Sequence, residues 1–124
     1  MCIRDSSYGI ADPGSGDCGA VYSQAAPLFN ACKPPLEWQA YDISFRAPRF
    51  DSAGKVSENP RVTVLQNGIL VQNNQEIKSM TGIQYSQFRE MGSTGPIVLQ
   101  DHGNPVQFRN VWVLPLPLHG ALHY

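Results

Sequence analysis

The sequence predicts an all-β antiparallel protein, a sandwich or jelly roll of short strands, and three observations carry that expectation. Ten prolines and eleven glycines in 124 residues, with only 15% charged residues, suit short extended segments joined by tight turns rather than long helices. β-Branched and aliphatic runs flank Asn67-Gly68, a dipeptide that favours a two-residue hairpin because both positions tolerate positive φ. Further apolar stretches, bounded by Gly, Pro, Asp and Asn, recur at regular spacing without heptads or internal repeats.

Taken in order, Ser7 to Pro35 is rich in Gly, Pro, Asp, Ser and Ala and reads as long loops around one short strand at Ala20 to Tyr22. Between Glu37 and Arg46, Tyr41, Ile43 and Phe45 alternate with Asp42, Ser44 and Arg46, the pattern of a half-buried strand that Ala47-Pro48 ends, because proline donates no ladder bond. Asp51-Ser52-Ala53-Gly54 is a turn. Arg61 to Gln66 and Ile69 to Gln72 pair across Asn67-Gly68, and Gln75 to Lys78 extends the sheet. Thr81 to Thr94 is polar and aperiodic, a long loop. Pro96 to Gln100 and Val106 to Leu114 are two more strands, joined by Asp101-His102-Gly103-Asn104-Pro105, where Gly and Asn tolerate positive φ.

Composition bounds the function. An apolar share of 42% supports the core of one modest domain. Nine basic residues against ten acidic ones, with no run of like charge, leave no footprint for nucleic acid or an anionic membrane surface, so a neutral, polar ligand fits better. No stretch approaches the roughly 20 apolar residues that span a bilayer. Met1-Cys2-Ile3-Arg4-Asp5-Ser6 resembles a translated sequencing adaptor, so residues 1–6 are set aside and the native sequence is expected to begin near Ser7, inside a domain. A leader peptide would then lie outside this sequence.

Setting Cys2 aside leaves Cys18 and Cys32, either a disulfide or two buried thiols. A bridge over that loop is worth about 3 kcal/mol in the chain-entropy model. No spacing of Cys and His suggests zinc. His119 and His123 are four apart, but Pro115, Pro117 and the shortness of the tail argue against a helix that would bring them to one face, and they receive no role.

Several words of the sequence, in order, resemble one family. They are Gly16-Asp17-Cys18-Gly19-Ala20-Val21-Tyr22, Asn30-Ala31-Cys32-Lys33-Pro34-Pro35, Trp38 with Tyr41-Asp42-Ile43, and Phe45-Arg46-Ala47-Pro48-Arg49-Phe50-Asp51. Val62-Thr63-Val64 with Asn67-Gly68 follows, and then Leu99-Gln100-Asp101-His102-Gly103-Asn104-Pro105-Val106 leading to Phe108-Arg109-Asn110-Val111-Trp112. Together they resemble the 3-keto-disaccharide hydrolase family over about Asp17 to Trp112. Gln107 stands where that family often has Arg, and Leu118 to Tyr124 follows none of its pattern. The resemblance implies a concanavalin-like jelly roll whose concave face holds a sugar, in bacterial proteins that are secreted or periplasmic. It also implies that residues 7–116 are the C-terminal part of the domain, followed by a tail at 117–124, with the first strands missing and sheet edges left open.

A 3-keto sugar has an acidified C–H at carbon 2, so its glycosidic bond can leave by base-assisted elimination followed by addition of water. Such a site needs a base and an oxyanion stabiliser. His102 is the leading candidate base because imidazole titrates near working pH and the turn can aim it; Asp101 is the alternative. Arg109 could hold the developing enolate with a fixed guanidinium, or pair with a carboxylate to lock the sheet. Trp38, Tyr22, Tyr41 and Trp112 could stack on sugar faces, although large aromatics in sandwich strands more often fill the core. Asp17 could bind sugar hydroxyls or a divalent ion, with a loop-stabilising Asx turn as the commoner role. No cofactor follows from the residues, and a divalent metal at the enolate stays open. The scattered Glu37, Glu58, Glu76 and Glu90 give no carboxylate pair for an ordinary glycosidase. The expected activity is hydrolysis of 3-keto-glycosides, and the competing one is a non-catalytic carbohydrate-binding module on the same sandwich.

Overall fold

The computed structural model describes residues 7–79, 81, 94–100, 103 and 106–117. Strands β1 (Tyr41–Arg46), β2 (Arg49–Phe50), β3 (Val56–Glu58), β4 (Arg61–Gln66) and β5 (Ile69–Glu76) follow one another along the chain. All pairing is antiparallel, and the described residues contain no helix, so none that could cross a membrane. The protein is all-β.

One sheet runs β1-β4-β5 and a second, two-stranded sheet pairs β2 with β3. The Asn67-Gly68 hairpin forms as the sequence predicts. Gln66 faces Ile69 across it, and φ is 53° at Asn67 and 81° at Gly68, the two left-handed positions of a type I′ turn. The Gln75 to Lys78 extension forms in part: β5 continues to Glu76, and Ile77 and Lys78 lie beyond the strand. Register shifts around Val64 turn the ladder so that the neighbours Val71 and Gln72 are both buried. The turn at Asp51 closes β2 on β3, a small hairpin with no clear periodicity to announce it. Asp51 Oδ1 accepts from the backbone N–H of Ala53 and of Lys55, both at 2.9 Å.

β4 alternates as a half-buried strand should, with Val62, Val64 and Gln66 turned inward. Val21 and Ala31 of the N-terminal loops pack on Val62, Val64 and Val71, flanked by Ala25, Tyr41 and Ile77. Each buried valine stabilises by about 1.5–3 kcal/mol, so this small core needs help from hydrogen bonds. Side-chain amides supply it. Gln72 Nε2 donates to the carbonyls of Gly19 and Ala26, Asn30 Nδ2 to those of Ser7 and Ile10, and Gln24 Nε2 to that of Ser79. The loops of residues 7–35 are thereby tied to one face of the sheet.

Four sequence expectations change. The strand at Ala20 to Tyr22 is only an isolated bridge from Val21 to Ala25, closing a tight turn in which Ser23 takes φ of 61°. Glu37 to Ala40 stays irregular, with Leu36 at φ 67°, and β1 starts at Tyr41. Of the alternating face of β1, only Tyr41 packs on the core, while Ile43 is 62% and Phe45 57% exposed. Finally, neither Pro96 to Gln100 nor Val106 to Leu114 forms a strand where described. Most of their apolar side chains are exposed, Val106 and Phe108 being half-buried, and Asn110 takes φ of 52°, a left-handed residue that breaks an extended run. Strand-forming residues without a neighbouring strand have no ladder to join.

Candidate functional site

Asp101 and His102, the candidate bases, lie outside the described residues. Nearby Gly103 is described, at φ 79°, the positive value expected of that turn.

Arg109 and Trp38 come together. The guanidinium carbon of Arg109 sits over the Trp38 ring, 3.9 Å from its centre. Neither residue lies in a strand. Trp38 is held by a clamp on the loop before β1: Lys33 Nζ donates to the Trp38 carbonyl, and Gln39 accepts from Lys33 N while donating to the Lys33 and Glu37 carbonyls. Asn67 then ties that clamp to the hairpin, donating through Nδ2 to Gln39 Oε1 and to the Ala31 carbonyl, both at 2.7 Å, and accepting from Ala40 N through Oδ1. The hairpin tip therefore positions the Trp38 loop.

The ion-pair alternative for Arg109 is not what the described residues make. Their salt bridges join Glu58 to Arg46 and to Arg49, and Arg109 is stacked on an indole instead. A guanidinium on a ring face keeps its edge N–H groups for another acceptor.

The aromatics depart from the expectation that they fill the core. Trp38 is 42% exposed and Trp112 74%, Tyr22 is exposed as well, and only Tyr41 is half-buried against the core. A shallow sheet with five small core side chains has no depth for an indole. Asp17 stabilises its loop, though not by an Asx turn: Oδ2 accepts from Gly14 N, three residues earlier, at 2.7 Å and Oδ1 from Ser7 Oγ at 3.3 Å, closing the Gly-rich loop. Among the described residues no three of His, Cys, Asp and Glu cluster as metal ligands would.

Cys18 and Cys32 are neighbours in space, but both remain thiols in this structure, so the expected disulfide is not formed. Gln66 joins them: its Nε2 donates to Cys18 Sγ at 3.3 Å and to Cys32 Sγ at 3.4 Å. Cys18 Sγ also shares a hydrogen bond with Tyr41 Oη, 3.2 Å away. Burial pushes the Cys32 thiol up to about 11, and the hydrogen bond with Cys18 adds to the rise. Gln66 belongs to none of the functional motifs in the sequence. The signal for it was a glutamine on the inward face of β4, where the period-two pattern calls for an apolar residue.

A polar cleft of about 240 Å³ opens between Arg46, Ser57, Glu58, Asn59, Arg61 and Glu76. Arg46 binds Glu58 and the Asn59 carbonyl, and Arg61 binds the Asn74 carbonyl.

The fold defines an antiparallel all-β class, within which the described chain is a single small three-stranded layer with its covering loops and an appended two-stranded hairpin. The chain belongs to the family of 3-keto-alpha-glucoside-1,2-lyase-like domains, the 3-keto-disaccharide hydrolases, whose family model matches residues 3–114. Among solved structures it is similar to that of a protein proposed to be a glycosyl hydrolase from Parabacteroides distasonis ATCC 8503, with 40% identity and a TM-score of 0.57. That match covers 64% of this chain and 34% of the other, so the chain spans about a third of the solved protein. No curated protein matches.

Proposed function

We propose that this chain carries part of the active site of a hydrolase acting on 3-keto-glycosides, with Arg109 as the enolate-holding cation. The observation that carries the reading is the Arg109–Trp38 stack, which fixes a guanidinium at an aromatic surface without a carboxylate partner among the described residues. Family membership and the resemblance to a protein proposed to be a glycosyl hydrolase support a glycosidase-like activity.

The chemistry follows from the substrate. The 3-keto group acidifies the C2–H. A base at His102, or Asp101, removes that proton, and the electron pair is held as an enolate. The enolate collapses to expel the aglycone oxygen from C1, which takes a proton. Water then adds across the resulting double bond, its hydroxyl to C1 and a proton to C2, regenerating the keto sugar. Arg109 donates to the enolate oxygen, where charge develops, and Trp38 holds the guanidinium in place while its exposed surface offers an apolar contact to a sugar ring. The parent protein would act outside the bacterial cytoplasm, on carbohydrate.

The competing reading is a carbohydrate-binding module, favoured by the exposure of Trp38 and Tyr22. Product release separates the two. Free glucose is measured from 3-keto-trehalose and from unoxidised trehalose, with this chain and with the longer protein that completes it. Release from the keto sugar alone supports elimination, release from both favours an ordinary glycosidase, and binding without release favours the module. Separate His102→Ala and Asp101→Ala variants that leave turnover unchanged would remove both bases from the mechanism.

A further inference from the structure

The two thiols on Gln66 are placed for a covalent step that the reduced structure has not taken. Cys18 is buried and Cys32 half-buried, and one amide nitrogen reaches both sulfurs. That nitrogen donates, so the arrangement asks each sulfur to accept. The acceptor end of the same amide points away from them: Gln66 Oε1 is buried without a partner, and it lies so near Gly19 that a Cβ there would stand 2.8 Å from it. The thiol protons have other acceptors, in the hydrogen bond between the two sulfurs and in the one that Cys18 shares with Tyr41 Oη. One nitrogen within 3.4 Å of both sulfurs, and the hydrogen bond between them, hold the pair side by side.

We propose that Cys18 and Cys32 form a disulfide that staples the N-terminal loops to each other over Gln66 when the protein meets an oxidising compartment. The oxidant is a small-molecule or protein disulfide. Cys32, the more accessible sulfur, attacks it as the thiolate and expels one thiol, giving a mixed disulfide. Cys18 then attacks the Cys32 sulfur and expels the second. Two S–H protons pass to solvent and two electrons reduce the oxidant to its two thiols.

The bond has a mechanical consequence. It would join the Asp17 loop to the chain that enters the Trp38 clamp, since Lys33 directly follows Cys32 and is held by Gln39 and by the Trp38 carbonyl. The staple restrains the loop layer in the unfolded chain as well, which is where most of its stabilising effect arises.

The test uses the full 124-residue chain, treated with oxidised glutathione or with dithiothreitol and then alkylated. Trypsin does not separate the two cysteines: the interval holds no Arg, and Lys33 precedes Pro34, so both fall on the peptide spanning 5–46 while Cys2 falls on another. The expected result after oxidation is that this peptide lacks alkyl groups and is lighter by two hydrogens. The oxidised chain should also melt higher than the reduced chain by at least about 5 °C. Dithiothreitol should reverse both effects without any substitution, and Cys32→Ser should abolish them. Two alkyl groups on the oxidised sample, a glutathione adduct on Cys32 that never resolves, a link from Cys2, or equal melting of both forms would each overturn the proposal.

Discussion

Arg109 stacks on Trp38, 3.9 Å from the ring centre, and that contact joins two loops that no strand pairing connects. It brings together two residues that the sequence marks as candidates for the site.

The contact should be measurable as a coupling. Trp38→Ala and Arg109→Ala, made singly and together, should give an interaction energy of about 0.5–1 kcal/mol in urea unfolding, as for an exposed cation on an indole. In the completed protein, Arg109→Met should lower kcat for a 3-keto-glycoside by roughly 10²–10³-fold, the usual loss on removing one oxyanion donor. An unchanged kcat with raised KM would instead make Arg109 a binding residue.

Gly19 and Gln66 should behave as a pair. Gly19 takes φ of 84° and stands against Gln66 Oε1, so Gly19→Ala meets both backbone strain and a steric clash. We expect a loss of at least about 2 kcal/mol. In a Gln66→Ala background the clash is gone and only the strain, about 1–2 kcal/mol, should remain. Additive effects would show that the contact does not matter.

Asn67 serves two purposes that substitution can separate. Asn67→Gly keeps the positive φ but loses the bonds to Ala31, Gln39 and Ala40. The hairpin should survive, with a cost of about 1–3 kcal/mol and faster hydrogen exchange confined to residues 31–40. Exchange that rises across β4 and β5 instead would mean that the side chain holds the hairpin itself.

Two titrations give pH dependence with opposite signs. Burial raises the reduced Cys32 thiol from its ordinary 9.0 to about 11, so the folded chain holds a proton that the unfolded chain releases first. Its contribution to stability is complete below pH 9 and is lost as pH climbs toward 11. Alkylation of Cys32 should accordingly stay slow at neutral pH and accelerate well above pH 9, and a profile turning up at the ordinary thiol value would contradict the burial. Glu58 runs the other way. Its hydrogen bond from Arg46, helped by the charge of Arg49, lowers its carboxyl below the ordinary 4.5. The stability it contributes is present above that pH and disappears as pH falls through the lowered value, so Glu58→Gln should flatten this part of the acid limb.

Local chemistry was legible wherever it decides the outcome without help. Asn67-Gly68 forms its hairpin because two residues that accept left-handed φ sit between two β-branched runs, and Asp51 forms its turn because a short carboxylate can reach the next backbone N–H groups. The all-β class follows from the same punctuation of the chain by Gly and Pro, and the family words ran in order along most of it.

Burial and partnership were decided only in three dimensions. Ile43, Phe45 and the apolar run from Val111 to Leu114 have the residue types of covered strands, yet they are exposed where described, because a strand needs a neighbour to supply both its ladder and its cover. The seat of Arg109 on Trp38, the turn of Asp17 onto Gly14, and the two sulfurs on Gln66 could not be read from spacing, since each depends on how distant loops are brought onto one face of a sheet. Sequence determines which backbone angles and which hydrogen-bonding groups are available. Which group finds which partner is determined by the packing of the loops on β4 and β5, where a polar side chain cut off from water must bond to whatever the fold places beside it.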